Sequence, residues 1–221
     1  MNRIRRICAL LLVIASQSAL AEISSCVGDS AEIRKNRLPV PASGNAVPKT
    51  LGVVAFERRK FDLAYQELSK LPSKDMQAQY YLGVMSEQGL GTAKSVQGAM
   101  RWYLRAAEMG SAQAQLALGK MFSSGADLPK NYGEAATWLR RSAEQGLGES
   151  QLLLGLMYSN GIGQLQDRPC ALAWVGLAAD ARAEGASAAQ QEILKRMTSE
   201  ERARALELKS QLQTKIGQKA E

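Results

Sequence analysis

The chain repeats itself every thirty-six residues, and no other feature restricts its fold as much. The segment WYLRAAEMG that begins at Trp102 returns as WLRRSAEQG from Trp138 and, more loosely, as WVGLAADAR from Trp174. At the same shift Gly83, Gly119 and Gly155 superpose, as do Leu82, Leu118 and Leu154, and Gln79, Gln115 and Gln151. Ala99, Ala135 and Ala171 continue the series, followed by Ala107, Ala143 and Ala179. Self-similarity of this period belongs to stacked supersecondary units, none of which buries its own apolar face and each of which completes the core of the next.

Within a unit the apolar and small residues fall three and four apart in two bursts, Gln77 to about Gln88 and Val96 to about Met109, which predicts two helices, A and B. Between them stand Gly89-Leu90-Gly91, Gly125-Ala126-Asp127 and Gly161-Ile162-Gly163, where glycine takes the left-handed conformation that ends a helix. Four residues before each repeating alanine stand Ser95, Asn131 and Asp167. All three have a side-chain oxygen that accepts from an orphan N–H at a helix start, so the capping chemistry repeats where identity does not. Gly83, Gly119 and Gly155 sit inside helix A, where each costs about 1 kcal/mol relative to alanine. Close approach of helix B compensates, with its small alanines facing the gap and Trp102, Trp138 and Trp174 filling the seams between units.

The array has irregular ends. Leu51 to about Arg59 and Asp62 to Leu71 read as a degenerate first helical pair, assigned to residues 49–75, ahead of three units spanning 76–186. Ala186 to Met197 reads as a further helix, and Thr198-Ser199-Glu200-Glu201 is a capping box that opens a last helix from Glu200 to about Lys215. Residues 187–216 thus form a C-terminal cap, whose Arg202, Arg204, Lys209 and Lys215 are polar enough to face water. Few aromatics and many Ala, Leu and Gln agree with an all-α chain of closely packed helices.

At the N-terminus Arg3, Arg5 and Arg6 precede an apolar run from Ile7 to Ala15 and the small-residue end Ala19-Leu20-Ala21. That is the pattern of a secretory signal peptide over 1–21, too short in its apolar part to span a bilayer. Removing it leaves a mature chain without a transmembrane segment and lowers the formal charge from +7 to +4. No Lys/Arg run is long enough to argue nucleic-acid binding. Residues 22–48, with Pro39, Pro41 and Pro48, read as a flexible linker. Cys26 and Cys170 survive cleavage, in a compartment that permits a disulfide. If they pair, the closed loop stabilises by about 4 kcal/mol in the chain-entropy account, and two free thiols are equally consistent. Ile23-Ser24-Ser25-Cys26 also resembles a lipidation signal, with Glu22 interrupting its junction with the apolar run.

The units AQYYLGVMSEQGLG…SVQGAMRWYLRAAEMG, AQLALGKMFSSGAD…NYGEAATWLRRSAEQG and SQLLLGLMYSNGIG…DRPCALAWVGLAAD resemble the Sel1-like repeat family, relatives of tetratricopeptide repeats. The resemblance implies a right-handed α-solenoid whose concave face recruits proteins, peptides or envelope polymers, in a family whose bacterial members are often exported. Cysteine-rich relatives linked to β-lactams bridge every repeat with a Cys pair that this chain lacks, so that activity does not carry over. Ser86, where later units have Phe122 and Tyr158, and the lengthened exit Ala181-Arg182-Ala183-Glu184-Gly185 depart from the pattern. The third unit is therefore expected to end differently.

Histidine is absent from the sequence, which removes His-based triads, His-ligated zinc and the usual neutral-pH general base. No nucleophile-elbow, Ser-x-x-Lys, Cys-x-x-Cys or P-loop motif occurs. The reading is a non-catalytic scaffold with no cofactor and no metal. Carboxylates among Glu87, Glu108, Glu144 and Glu149 are the remaining source of acid chemistry, which would make the chain an enzyme on an envelope polymer. Glu108 and Glu144 recur at the period, with Asp180 following, as structural polar contacts would. Structural needs recur and partner needs do not, so binding residues belong where helix A varies. Tyr80 and Tyr81, Val84, Lys120 and Leu156 are the candidates for a protein or peptide partner. Arg101, Arg105, Arg140 and Arg141 on helix B offer either a solvated face or one for an anionic glycan.

Overall fold

The computed structural model describes Cys26 and residues 50–71, 75–125 and 129–220. The expected signal peptide and all of the expected linker except Cys26 lie outside the described residues. In the N-terminal unit, residues 1–37, Cys26 is helical and fully buried. Cys26 and Cys170 are each disulfide-bonded.

The second unit, residues 38–221, is an α-solenoid of helix-turn-helix pairs, with no strand among the described residues. Its helices are α1 Leu51–Glu57, α2 Phe61–Ser69, α3 Met76–Gln88, α4 Val96–Glu108, α5 Ala112–Ser124, α6 Tyr132–Ala143, α7 Gly148–Asn160, α8 Arg168–Asp180, α9 Ala186–Lys195 and α10 Ser199–Ala220. Each helix from α1 to α8 packs on the next, and α9 and α10 both pack on α8.

Local chemistry accounts for the boundaries. Ser95 Oγ accepts from Gly98 N at 3.0 Å, Asn131 Oδ1 from Glu134 N at 3.1 Å and Asp167 Oδ1 from Cys170 N at 2.9 Å, so three residue types make one cap. Gly89, Gly125 and Gly161 end α3, α5 and α7 with φ of 73°, 69° and 66°, a region that penalises any side chain. The A helices have caps of their own at the repeat spacing, Asp75 and Ser111, but Leu147 fills the third position and makes no side-chain cap bond.

The approach of helices A and B differs from the sequence expectation in one respect. A Cβ at Gly83 would stand 2.5 Å from Tyr103 Cδ1, one at Gly119 2.6 Å from Leu139 Cγ, and one at Gly155 2.6 Å from Val175 Cγ2. The residue after each repeating tryptophan, not the alanine, therefore fills the gap. The alanines contribute backbone instead, since Ala135 O and Ala171 O lie 3.4 and 3.0 Å from the Cβ positions at Gly119 and Gly155. The tryptophans do seal the seams: Trp138 is buried among Ala107, Ala114 and Leu118 of the preceding unit boundary, and Trp102 packs on Val53, Leu68 and Leu82.

The buried glutamines join successive units. Gln115 Nε2 donates to Ala107 O at 3.0 Å, and Gln151 Nε2 to Ala143 O at 3.2 Å. Each reaches back to the last turn of the preceding helix B, whose carbonyls lack intrahelical partners. Gln145 Nε2 completes the middle site by donating to Gln115 Oε1 at 2.8 Å. The residues equivalent to Gln145 are Met109 and Ala181, and Gln79 Oε1 and Gln151 Oε1 accept no hydrogen bond.

After the third unit α8 stops at Asp180, the register at which α4 stops at Glu108, and a left-handed Gly185 precedes α9. The capping box is formed in both directions, Thr198 N donating to Glu201 Oε2 at 2.8 Å and Glu201 N to Thr198 Oγ1 at 3.2 Å. Ala205, Leu208 and Leu212 of α10 are buried, which closes the apolar end of the stack. Two of its cations are only partly exposed and are paired. Lys209 Nζ meets Asp180 Oδ2 at 2.8 Å and Lys215 Nζ meets the buried Glu144 at 3.3 Å, because a polar helix covering an apolar one must satisfy the acids at the ends of α6 and α8.

Candidate functional site

On the A helices α3, α5 and α7 the repeating Leu82, Gly83 and Met85 and their equivalents are buried, Tyr80, Tyr81, Val84 and Glu87 are partly exposed, and the varying Ser86, Leu116 and Tyr158 are buried as well. Counting turns of α3, Gln77, Tyr80, Tyr81 and Val84 share the side away from Leu82, and Glu87 lies one turn beyond Gly83 on the flank that meets Tyr103. The equivalents are Gln113, Leu116, Ala117, Lys120 and Ser123 on α5, and Glu149, Leu152, Leu153, Leu156 and Ser159 on α7. Val84, Lys120 and Leu156 thus occupy one position on three successive helices.

The expected anchors divide into two kinds. Tyr80 and Tyr81 are half-buried and tied into the seams: Tyr81 meets Phe56 of α1 at 4.9 Å between ring centroids, and Tyr80 meets Tyr81 at 5.4 Å and Tyr103 at 6.0 Å. Val84 packs with Tyr80 against the Tyr103 cluster. Lys120 is half exposed and pairs with Glu149 Oε1 across the α5–α7 boundary at 2.5 Å. Leu156 is half-buried. Tyr80 therefore serves the packing and the surface together, while Lys120 serves the surface.

Two acids read from the sequence only as sources of catalysis belong to this surface. Glu87 Oε2 accepts from Tyr103 Oη at 2.7 Å. Burial first, then the charges of Tyr81, Glu87 and Glu149, raise the Tyr80 hydroxyl above its ordinary 10.0. Glu149 thereby links Tyr80 to Lys120 in one electrostatic neighbourhood. Tyr103 is raised further, by burial and by its bond to Glu87. Position 149 breaks the period, with Gln77 and Gln113 as its equivalents, so the signal that singled out Lys120 also applies to Glu149.

Of the other acids, Glu144 and Asp180 hold α10 as described, and Glu108 is exposed. On helix B, Arg105 lies over Trp102 at 5.0 Å and Arg141 over Trp138 at 4.7 Å, while Arg140 donates to Tyr158 Oη at 2.8 Å. Much of the arginine face is thus occupied with aromatic rings of its own chain. Among the described residues no group of three His, Cys, Asp or Glu side chains is gathered to hold a metal ion.

The repeat units of the fold coincide with matches to the Sel1 repeat over residues 77–111, 112–147 and 148–182. The chain is a Sel1-like repeat protein. A crystal structure of a Sel1 repeat protein from Oxalobacter formigenes is 34% identical with a TM-score of 0.56, over 58% of this chain and 52% of that one. A second, of c5321, described as a protective antigen of uropathogenic Escherichia coli strains displaying an SLR fold, is 24% identical with a TM-score of 0.49, over 72% of this chain and 42% of that one. This Sel1-like repeat protein spans about half the length of the first relative. No protein of curated function matches it. Sel1 repeat proteins generally mediate protein–protein interactions.

Proposed function

We propose that this chain is an exported, non-catalytic adaptor that docks a protein segment along the outward side of α3, α5 and α7. The observation that supports it is the change at partly exposed positions of those helices, where Val84 gives way to Lys120 and to Leu156, and Tyr81 to Ala117 and to Leu153. A surface needed only for solubility has no use for half-buried aromatics and leucines beside a charged pair.

Export is supported by the basic, apolar and small-residue pattern of residues 1–21 and by the disulfide-bonded state of Cys26 and Cys170. No described helix is long and apolar enough to cross a membrane. N-terminal sequencing of protein from the envelope fraction should begin at Glu22.

The docking reading is tested by Lys120→Glu together with Leu156→Asp, positions that touch the surface with little of the packing that Tyr80 and Tyr81 carry. Capture of a discrete protein that disappears in this variant, with unchanged helical content, is the expected result. Retention equal to the parent chain refutes the surface assignment. The alternative, turnover or binding of an envelope polymer, would require processing of peptidoglycan or glycan fragments by the purified chain.

A further inference from the structure

We infer that the docking surface is built for a cationic side chain, an arginine or lysine presented by a protein segment, seated on Tyr80 between Glu87 and Glu149. The inference rests on the docking reading above and adds the chemistry of the occupant.

Three observations carry it. First, the aromatic residues of the surface are concentrated at one end. Tyr80 and Tyr81 stand where the later units have Leu116 and Ala117, or Leu152 and Leu153. Behind them Tyr103 replaces the Leu139 and Val175 of those units. Tyr80 and Tyr81, edge to face and both partly exposed, present aromatic surface that attracts cations through its quadrupole. Second, the acids at that end are already oriented. Tyr103, buried with its ring against Gly83, donates through Oη to Glu87 Oε2 at 2.7 Å. This fixes one carboxylate oxygen and leaves the group its negative charge. The later units have Ser123 and Ser159 at the position of Glu87, so the acid comes together with the tyrosine.

Third, the charges do not cancel. The one lysine among these outward positions, Lys120, is paired with Glu149 at 2.5 Å, and both side chains remain about half exposed, at 51% and 52%. Among the described residues Glu87 pairs with Tyr103 Oη and with no cation. Burial is the larger cause of the raised Tyr80 hydroxyl, and Glu87 and Glu149 act in the same direction. An incoming guanidinium or ammonium finds a ring face, one fixed carboxylate and a second that it shares with Lys120. An acidic segment would meet two like charges.

The relation to Lys120 gives a test that net charge alone would not pass. The full mature chain is titrated, by fluorescence anisotropy, into a fluorescein-labelled Gly-Ser peptide bearing two arginines, and into counterparts bearing two glutamines or two glutamates. The arginine probe should bind tightest. Glu87→Gln and Glu149→Gln, which keep shape and hydrogen-bonding capacity, should each weaken it about two- to fivefold. Lys120→Gln should tighten it by a similar factor, because Glu149 loses its internal competitor. Tyr80→Leu should weaken it with both acids in place, and Glu134→Gln on the exposed side of α6 should change nothing.

Tighter binding of the glutamate probe, equal binding of all three, or indifference to both Glu→Gln changes overturns the inference. A photo-cross-linking residue at Gln113 separates this from failure of the docking reading. A captured partner segment without basic residues, together with no binding of the arginine probe, overturns the cation inference and leaves docking intact. Cross-links from the bound arginine probe to α4 or α6 alone overturn both.

Discussion

Alanine at the three A-helix glycines should destabilise the fold in a fixed order, Gly155→Ala most, Gly83→Ala less and Gly119→Ala least. Each substitution gains about 1 kcal/mol of helix propensity, so a loss measures how tightly helix B is pressed against the site. At Gly155 the new Cβ would meet Val175 Cγ2 at 2.6 Å and two backbone atoms, Ala171 O at 3.0 Å and Val175 N at 3.1 Å. Backbone cannot step aside without moving α8, which is covered by α9 and α10. At Gly83 the obstacle is the Tyr103 ring, at 2.5 and 2.6 Å, a rigid body anchored by Glu87. At Gly119 it is the end of Leu139, at 2.6 and 2.7 Å, with backbone no nearer than 3.4 Å. Overpacking costs about 1–3 kcal/mol. Taking its upper end at Gly155 and its lower end at Gly119 gives net losses of about 2 kcal/mol, about 1 kcal/mol at Gly83 and about zero at Gly119. Urea unfolding followed by far-ultraviolet circular dichroism measures all three. A Gly155→Ala chain as stable as the parent refutes close approach as the reason for glycine.

Met109→Gln places a donor opposite Gln79 Oε1 as Gln145 does for Gln115, and should stabilise by about 1 kcal/mol in the same unfolding assay. Asn131→Ala should cost about 1 kcal/mol and Asn131→Ser much less, since the cap needs an acceptor and not a particular residue. Lys215→Ala, removing an ammonium from the buried Glu144, should cost about 1–2 kcal/mol, measured as a lowered urea midpoint. Tyr80, Tyr103 and Tyr158 all have hydroxyls raised by burial. The folded chain then holds protons that the unfolded chain releases above its ordinary 10.0. Their contribution is fully present below that pH and is lost as pH rises beyond it. A pH series of urea midpoints should show this alkaline decline, and Tyr103→Leu should reduce it.

Elements that serve each unit in the same way were legible in the sequence, because they recur. The caps Ser95, Asn131 and Asp167 and the terminators Gly89, Gly125 and Gly161 needed only spacing and local chemistry. Period alone does not tell which helix B residue faces Gly83. Tyr103, Leu139 and Val175 differ in type, so the contact they share has no shared letter. Contacts made once were equally hidden: Glu144 and Lys215 lie far apart in the chain, and nothing local in either marks the pair. At the candidate site, broken periodicity singled out Lys120 and passed over its ion pair with Glu149, since an acid was weighed for catalysis and not for pairing. Tyr80 and Tyr81 were singled out by the same signal, but their share in the seams with Phe56 and Tyr103 required the fold.

The claim that the outward side of α3, α5 and α7 is where this protein works is tested most directly by site-specific photo-cross-linking in the native envelope. Parallel chains would carry the cross-linker at Gln113 on α5 or at Thr137 on α6, both exposed. The account predicts a discrete adduct from position 113 and none from position 137, with the adduct lost in the Lys120→Glu, Leu156→Asp chain. An adduct from position 137 alone would contradict it and move the working surface to the arginine-bearing B helices.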